Sequence, residues 1–324
     1  MQTTAGGNKS LCFFRRRPNG SGDRLSMSMR RHQVLLKTPQ PHPLVRSLFE
    51  RFRRLIREKS GISLIDGKEA LLCGRIAKRI RALGLTGPED YLDHVTGDSS
   101  GAELIHLLDA IATNVTSFFR EPEHFVLLER LFREWRLEGQ TRFRFWSCAC
   151  STGEEPYSMA MTLWQASEST ELDVRILATD ISTTALRTGI EGVYPHAKLG
   201  GLSTKQRRMF FVKMPNHLAG DVNYSVVRQL REMIVFRRLN LSEPPFPLSG
   251  PFDIVFCRNV LIYFDLAVRC RLVQEISRLL KPGGYLLIGH SESLMGLNAP
   301  FSCVAPSVHC KLAVDSESLD TTKG

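Results

Sequence analysis

The sequence predicts an α/β protein in which a small all-helical domain precedes a mostly parallel sheet. Three patterns predict it. Apolar residues recur at helical spacing from Leu44 to Ile111, strands alternate with helices after Phe119, and over residues 194–238 the alternation gives way to short strands between turn residues. The last pattern is read as an inserted antiparallel β subdomain. At 324 residues, with 43% apolar and 23% charged residues, the chain can bury one large core and one smaller one. The expected domains are 1–40, a disordered basic tail; 41–112, helical; and 113–324, the sheet domain with its insertion.

The tail is expected because Gly6-Gly7, Arg15-Arg16-Arg17 and Asn19-Gly20-Ser21-Gly22 carry no apolar period. Leu44, Leu48, Phe52 and Ile56 then mark a first helix that Gly61 ends. A second opens at Asp66, with Glu69 three residues on as in a capping box, and closes at Gly84. Leu72, Ile76, Ile80 and Leu83 form its apolar stripe, while Arg75, Lys78, Arg79 and Arg81 gather elsewhere. That basic side reads equally as a solvated face or as a docking surface. Helices over 88–95 and 102–111 complete the domain.

Beyond Phe119, strands are expected over 142–148, 174–179, 252–257 and 285–290, with helices through Tyr157 to Leu163, over 182–189 and over 266–280. Lys281-Pro282-Gly283-Gly284 is expected as a stop. Strands over 301–304 and 308–312 would form an antiparallel edge. Inside the insertion, strand character falls at 210–212, 224–227 and 233–236, with Pro215, Asn216 and Gly220 as turn signals.

The charge is concentrated in one part of the chain. A net +10 would suggest nucleic acid if it were spread over the fold, but residues 1–60 hold 14 Lys and Arg against 3 Asp and Glu, and residues 91–324 hold 24 against 26. The excess suits docking on an acidic protein, and no nucleic-acid partner is expected. The eight cysteines are irregularly spaced with no CxxC pair, so free thiols and no metal site are expected. No stretch approaches the roughly 20 apolar residues of a membrane span. A cytoplasmic monomer without membrane insertion is expected.

In an open α/β sheet, ligands bind beyond the carboxyl ends of the strands. The first such loop, Cys148-Ala149-Cys150-Ser151-Thr152-Gly153-Glu154-Glu155, is built of small residues, and its glycine would let backbone approach a ligand. At the end of the next strand, Asp180 could accept the hydroxyl hydrogens of a ribose, or could cap the following helix. The pair points to a nucleoside cofactor without distinguishing a dinucleotide from S-adenosylmethionine. Glu154 and Glu155 in the first turn oppose a pyrophosphate and suit a ligand that carries an amine and a sulfonium. The segment 112–123 joins the domains and is rich in hydrogen-bonding side chains, with Arg120 able to place a bidentate fork in an interdomain cleft.

Five blocks carry a resemblance: Thr113-Asn114-Val115-Thr116-Ser117-Phe118-Phe119-Arg120-Glu121, Ser151-Thr152-Gly153-Glu154-Glu155-Pro156-Tyr157-Ser158, Ala178-Thr179-Asp180-Ile181, the run 251–264, and Gly289-His290-Ser291-Glu292. In this order they resemble the chemotaxis receptor glutamate methyltransferases, the CheR family. The resemblance implies a helical domain on a Rossmann-like class I methyltransferase sheet with an inserted antiparallel β subdomain. It implies methyl transfer from S-adenosylmethionine to glutamate carboxylates in the cytoplasmic domain of methyl-accepting chemotaxis receptors, leaving S-adenosylhomocysteine. It further implies that Asn114, Thr116, Arg120, Glu155, Asp180, Asn240, Leu241, Arg258 and Asn259 line the cofactor site. Arg120 and Tyr263 would lie nearest the transferred methyl group, and Arg75, Lys78, Arg79 and Arg81 would meet the receptor. The stretch 212–221 lacks the Gly-x-Gly turn of members that grip a receptor's C-terminal peptide, so that tether is not expected here. Rival readings are a methyltransferase for RNA or a small molecule, and a scaffold that only senses the cofactor.

Overall fold

The computed structural model describes residues 46–64, 69–167, 172–215 and 222–312. The expected basic tail, Leu44, the Asp66 cap and the turn residues Asn216 and Gly220 lie outside the described residues.

The helical domain comprises α1 (Arg46–Ser60), α2 (Glu69–Leu83), α3 (Pro88–Gly97) and α4 (Ala102–Ile111). Leu48, Phe52 and Ile56 stack on one face of α1, and Gly61 ends the helix at φ +70 while its N–H returns to the Arg57 carbonyl at 2.8 Å. Their core partners are Leu72 and Ile76 of α2, Tyr91, Leu92 and Val95 of α3, and Leu107 and Leu108 of α4. Of the apolar stripe read from sequence, Leu72, Ile76 and Ile80 therefore face inward, while Leu83 at the end of α2 is exposed.

An unforeseen helix, α5 (Glu123–Leu137), opens the second domain. There follow β1 (Arg142–Cys148), α6 (Glu154–Ala166), β2 (Asp173–Asp180), α7 (Thr183–Glu191), β3 (Val193–Pro195), α8 (Thr204–Phe210), β4 (Phe211–Lys213), β5 (Asn223–Val226), α9 (Arg228–Arg231), β6 (Ile234–Arg238), β7 (Phe252–Cys257), α10 (Leu266–Leu279), β8 (Leu280–Ile288), β9 (Phe301–Ala305) and β10 (Val308–Lys311). The main sheet has the order β6-β2-β1-β7-β8-β10-β9; β6 to β8 are parallel, and β10 and β9 form the expected antiparallel edge. Alternation along β1 sends Phe143 and Phe145 to one face and Trp146 and Cys148 to separate packing on the other. The first face packs on α5 and α6 through Phe125, Leu128, Tyr157 and Met161; the second packs on α10 through Leu272 and Ile276.

Two expectations need correction. The strand over 233–236 was placed in the insertion, but β6 runs parallel to β2, from Ile176↔Ile234 to Asp180↔Arg238. The small sheet is β3-β5-β4 alone. After α9 the chain returns to the open edge of β2, where backbone donors need partners, and the Ile176 N–H meets the Met233 carbonyl at 2.9 Å. The second concerns residues 281–284. They do stop α10, yet the chain passes straight into β8 from Leu280, with a register irregularity opposite Phe252 and Ile254 and with Gly283 at φ +70.

From β1 the chain moves outward to β2 and β6, then returns to place β7 on the other side of β1. The crevice between the ends of β1 and β7 is thus the topological switch point at which an open sheet binds ligands.

Candidate active site

Beyond the end of β1 the chain turns sharply. Ala149 and Ser151 both hold positive φ, at 59 and 50, and the Cys150 N–H reaches the Thr179 carbonyl at 2.8 Å. Ser151 in turn donates its N–H to Asp180 Oδ2 at 2.8 Å, and Ser182 donates to Oδ1 at 2.9 Å. The cap of α7 is Ser182, whose hydroxyl accepts from the Ala185 N–H. Asp180 is therefore not the cap but a carboxylate braced between two loops, each oxygen keeping acceptor capacity toward the cleft it lines. Burial pushes its carboxyl above the ordinary range, against the pull of those backbone donors.

Gly153 serves packing instead of ligand approach. Its φ is +95, and a Cβ there would lie 2.9 Å from both the Gly189 Cα and the Tyr194 hydroxyl, away from the cleft.

Across the crevice from Asp180, Arg258 follows β7 and is the most buried charge of the site, with 1% of its side chain exposed. Its guanidinium donates to Glu121 Oε2 at 3.0 and 3.2 Å, to Glu155 Oε2 at 3.1 Å and to the Arg120 carbonyl at 2.5 Å, over the faces of Phe125 and Phe256. One cation is thus shared by two carboxylates. Burial would raise Glu121, but Arg258 outweighs it and holds that carboxyl below its usual range. For Glu155, which also accepts the Ser147 hydroxyl at 2.7 Å, burial wins and the carboxyl is raised.

Every residue expected at the cofactor site lines this one cleft: Asn114, Thr116, Arg120, Glu155, Asp180, Asn240, Leu241, Arg258 and Asn259, and Tyr263 lines it too. Their side chains are not equally free. Asn240 donates to the Lys59 carbonyl at 2.9 Å and accepts from Ser242, so it ties α1 to the loop after β6. Asn114 accepts from the Ser151 hydroxyl at 3.4 Å, and Asn259, at φ 56, reaches Glu121 at 3.4 Å. Arg120 donates to the Val115 carbonyl at 3.0 Å in a turn whose flanking residues, Phe119 and Glu121, both have positive φ. Among the described residues six non-glycine residues have positive φ; Ala149, Ser151 and Asn259 line the cleft and Phe119 and Glu121 flank Arg120, the clustering of backbone strain found at functional sites.

Two family models cover nearly all of the described chain. The CheR methyltransferase SAM-binding domain matches residues 114–310, and the CheR methyltransferase all-alpha domain matches residues 47–112. The chain belongs to the CheR methyltransferase family. It is similar to chemotaxis protein methyltransferase 2 of Pseudomonas aeruginosa, 38% identical over 247 residues that span 76% of this chain and 86% of that protein. It is also similar to the chemotaxis protein methyltransferases of Salmonella typhimurium (37% over 276 residues, 85% and 94%) and Borreliella burgdorferi (35% over 268 residues, 81% and 93%).

As a CheR protein the chain is an S-adenosylmethionine-dependent methyltransferase, and the cleft suits that cofactor chemically. Its buried acceptors, Asp180 and Glu155, match hydroxyls and a cationic ligand, and no glycine-rich helix N-terminus offers itself to a pyrophosphate.

The basic residues of α2 divide. Arg75 lines the cleft and reaches the Ala112 carbonyl at 3.5 Å, while Lys78 and Arg81 are exposed. Arg79 faces inward, its fork on Glu103 at 2.9 and 2.6 Å, where Glu103 also accepts the Tyr91 hydroxyl at 2.8 Å. Its charge is answered inside the domain, so Arg79 departs from the expected docking set.

Two carboxylates that organise the CheR cleft were not singled out from sequence. Glu121 anchors Arg258, and Glu292 accepts the N–H groups of Gly289 at 2.6 Å and Asn259 at 2.8 Å. Both stood inside the blocks that carried the resemblance.

Proposed function

We propose that this protein methylates glutamate side chains in the cytoplasmic domain of chemotaxis receptors, forming glutamate methyl esters and S-adenosylhomocysteine in sensory adaptation. The observation that supports it best is the composition of the cleft: acceptors at the strand ends, with Arg120 and Tyr263 lining the same space.

In this reading Asp180 accepts the ribose hydroxyls, and Glu155, short of a full counter-charge because Arg258 is shared, faces the cofactor's cationic amino group. Bound S-adenosylmethionine supplies an electrophilic methyl on a sulfonium. Arg120 draws in and orients the substrate carboxylate. Tyr263, whose backbone carbonyl accepts the Ser63 N–H at 2.8 Å, is held against the helical domain so that its ring shapes the approach. Asn114, Thr116, Asn240, Leu241 and Asn259 form the remaining walls, and Arg258 keeps Glu155 and the Arg120 turn in place. Lys78 and Arg81, with Arg75 at the cleft edge, face the acidic receptor.

A glutamate carboxylate has an ordinary pKa of about 4.3 and is already a nucleophile at neutral pH, so no general base is needed. Position supplies the rate, since effective molarities of about 10⁵ M or more are reached by well-oriented partners. Attack cancels a negative oxygen against a positive sulfonium, and a cleft that excludes water favours it. Incubation with methyl-labelled S-adenosylmethionine and receptor cytoplasmic domains tests the proposal: the label should enter the receptor and leave as methanol in mild base. Alkali-stable label on RNA or on a small molecule, with none on receptors, would overturn it.

A further inference from the structure

Beside the Arg258 bracket three metal-ligating side chains converge: Glu121, His124 and His290, whose ligand atoms all lie within 4.8 Å of one another. Neither histidine has a part in the methyl-transfer reading. His124 is 2% exposed, and its Nδ1 has no hydrogen-bond partner although it is fully buried.

The Ser307 hydroxyl stands 2.6 Å from the Pro306 carbonyl and 2.8 Å from His124 Nε2. With its single hydrogen on the Pro306 carbonyl, the Ser307 oxygen accepts from Nε2 and leaves Nδ1 with a free lone pair. Nδ1 faces Glu121 Oε2 at 3.6 Å, too far for a hydrogen bond. His290 Nε2 stands 4.0 Å from the same oxygen, and the two imidazole rings are 5.3 Å apart, nearly perpendicular. Arg258 answers the Glu121 charge from one side, while the buried His124 Nδ1 has no partner among the described residues.

We propose that Glu121, His124 Nδ1 and His290 form a binding site for a divalent transition-metal cation, with Zn²⁺ as the best match. Two imidazoles and one carboxylate are a familiar zinc ligand set, and tetrahedral zinc with bonds of about 2.0–2.1 Å places its ligand atoms roughly 3.3–3.4 Å apart. The observed 3.6 and 4.0 Å exceed that spacing by about 0.2 and 0.6 Å, and rotation of the half-exposed His290 would draw the three ligand atoms, all within 4.8 Å of one another, onto the ion. His124 is oriented by Ser307 as a ligating histidine is oriented by an outer partner. His290, with 51% of its side chain exposed, gives the ion a path in and leaves the fourth position to water. Glu121 Oε2 is also the oxygen that Arg258 grips, so an ion there competes with the bracket that holds Glu155 and the Arg120 turn. The site lies where cation binding and the cofactor cleft influence each other.

The test uses the full chain, stripped of metal by a chelator and titrated with Zn²⁺ by calorimetry and with Co²⁺ by visible absorption. One Zn²⁺ per chain should bind saturably, and Co²⁺ should show the absorption of a nitrogen- and oxygen-ligated ion. Because His124 is packed in the core and its replacement endangers folding, the half-exposed His290 carries the comparison. Loss of even an outer-shell partner weakens metal sites roughly tenfold or more, so His290→Ala should lose at least that much Zn²⁺ affinity. His94→Ala, in the distant α3, should lose none. Absence of saturable Zn²⁺ binding by the parent chain, or an affinity within tenfold of the parent's in His290→Ala, overturns the proposal.

Discussion

Arg120 and Arg258 touch through a single hydrogen bond, yet their surroundings assign them different work. Arg258 is enclosed, with its donors divided among Glu121, Glu155 and the Arg120 carbonyl. Removing it strands two buried carboxylates, at about 3–5 kcal/mol. The Arg120 side chain is half-buried at the cleft wall and hydrogen-bonds only the Val115 carbonyl among the described residues. Arg120→Ala should therefore melt within a few degrees of the parent while turnover on a receptor substrate falls roughly a hundredfold or more, the scale of a lost positioning group. Arg258→Ala should lower the melting temperature itself; a normal melting curve for it would remove its bracing role. Asp180→Ala deletes two charge-assisted hydrogen bonds of about 1.5–3 kcal/mol each, so calorimetry should show S-adenosylmethionine affinity reduced roughly a hundredfold or more. Unchanged affinity would end the ribose assignment. Asp180 was legible in the sequence because a strand end is a defined place in an α/β sheet. Glu121 was not, since only a turn at φ 55 brings it beneath an arginine 137 residues further along the chain.

Single elements show the same division between local and distant causes. Helices α1 to α4 could be read because glycines and an apolar period mark them, whereas α5 begins at Pro122, itself helical and without a capping side chain, so its start carries no polar signature. The strand character of β6 was visible but its partner was not, because the open edge of β2 that claims it lies some 60 residues earlier in the chain. On α2 the four basic residues looked alike in sequence, and tertiary structure separates them. Arg79→Ala should cost about 2–3 kcal/mol, at or just below the bottom of the range for stranding a buried carboxylate, because Arg79 keeps 25% of its side chain exposed. Chemical denaturation reads that loss directly. Lys78→Glu with Arg81→Glu should leave stability and cofactor affinity unchanged and raise KM for the receptor, most strongly at low salt. A KM that does not move would exclude this face of α2 from docking.

At the scale of the molecule, the cleft exists because helical domain and sheet are tied across it. Asp109 of α4 accepts from the Thr183 hydroxyl at 2.7 Å, the Ser63 N–H reaches the Tyr263 carbonyl, and Arg57 of α1 pairs with Asp265 at the start of α10 at 2.8 Å. Acid should act on this assembly in two steps. Glu103, in the helical core, is pushed up by burial but held below its ordinary range by Arg79 and Tyr91. A depressed carboxyl contributes stability that is complete above the unfolded value of about 4.3 and is lost as pH falls toward the folded value. Asp180 and Glu155 are shifted the other way, raised by burial while no cationic ligand balances them. Binding a cationic cofactor favours their ionised forms, so affinity is full above the raised values and declines as pH drops through them. For Glu155, whose ordinary value is already that of a free glutamate, the decline begins at a higher pH than the loss of Glu103's contribution. On acidification, S-adenosylmethionine binding by calorimetry should therefore weaken while far-ultraviolet circular dichroism still reports an intact helical domain, with unfolding following only below about pH 4.3. Glu103→Gln should alter the second transition and leave the first in place. If binding and helicity fall together in the parent chain, the carboxylates of the cleft are not the groups that hold the cofactor.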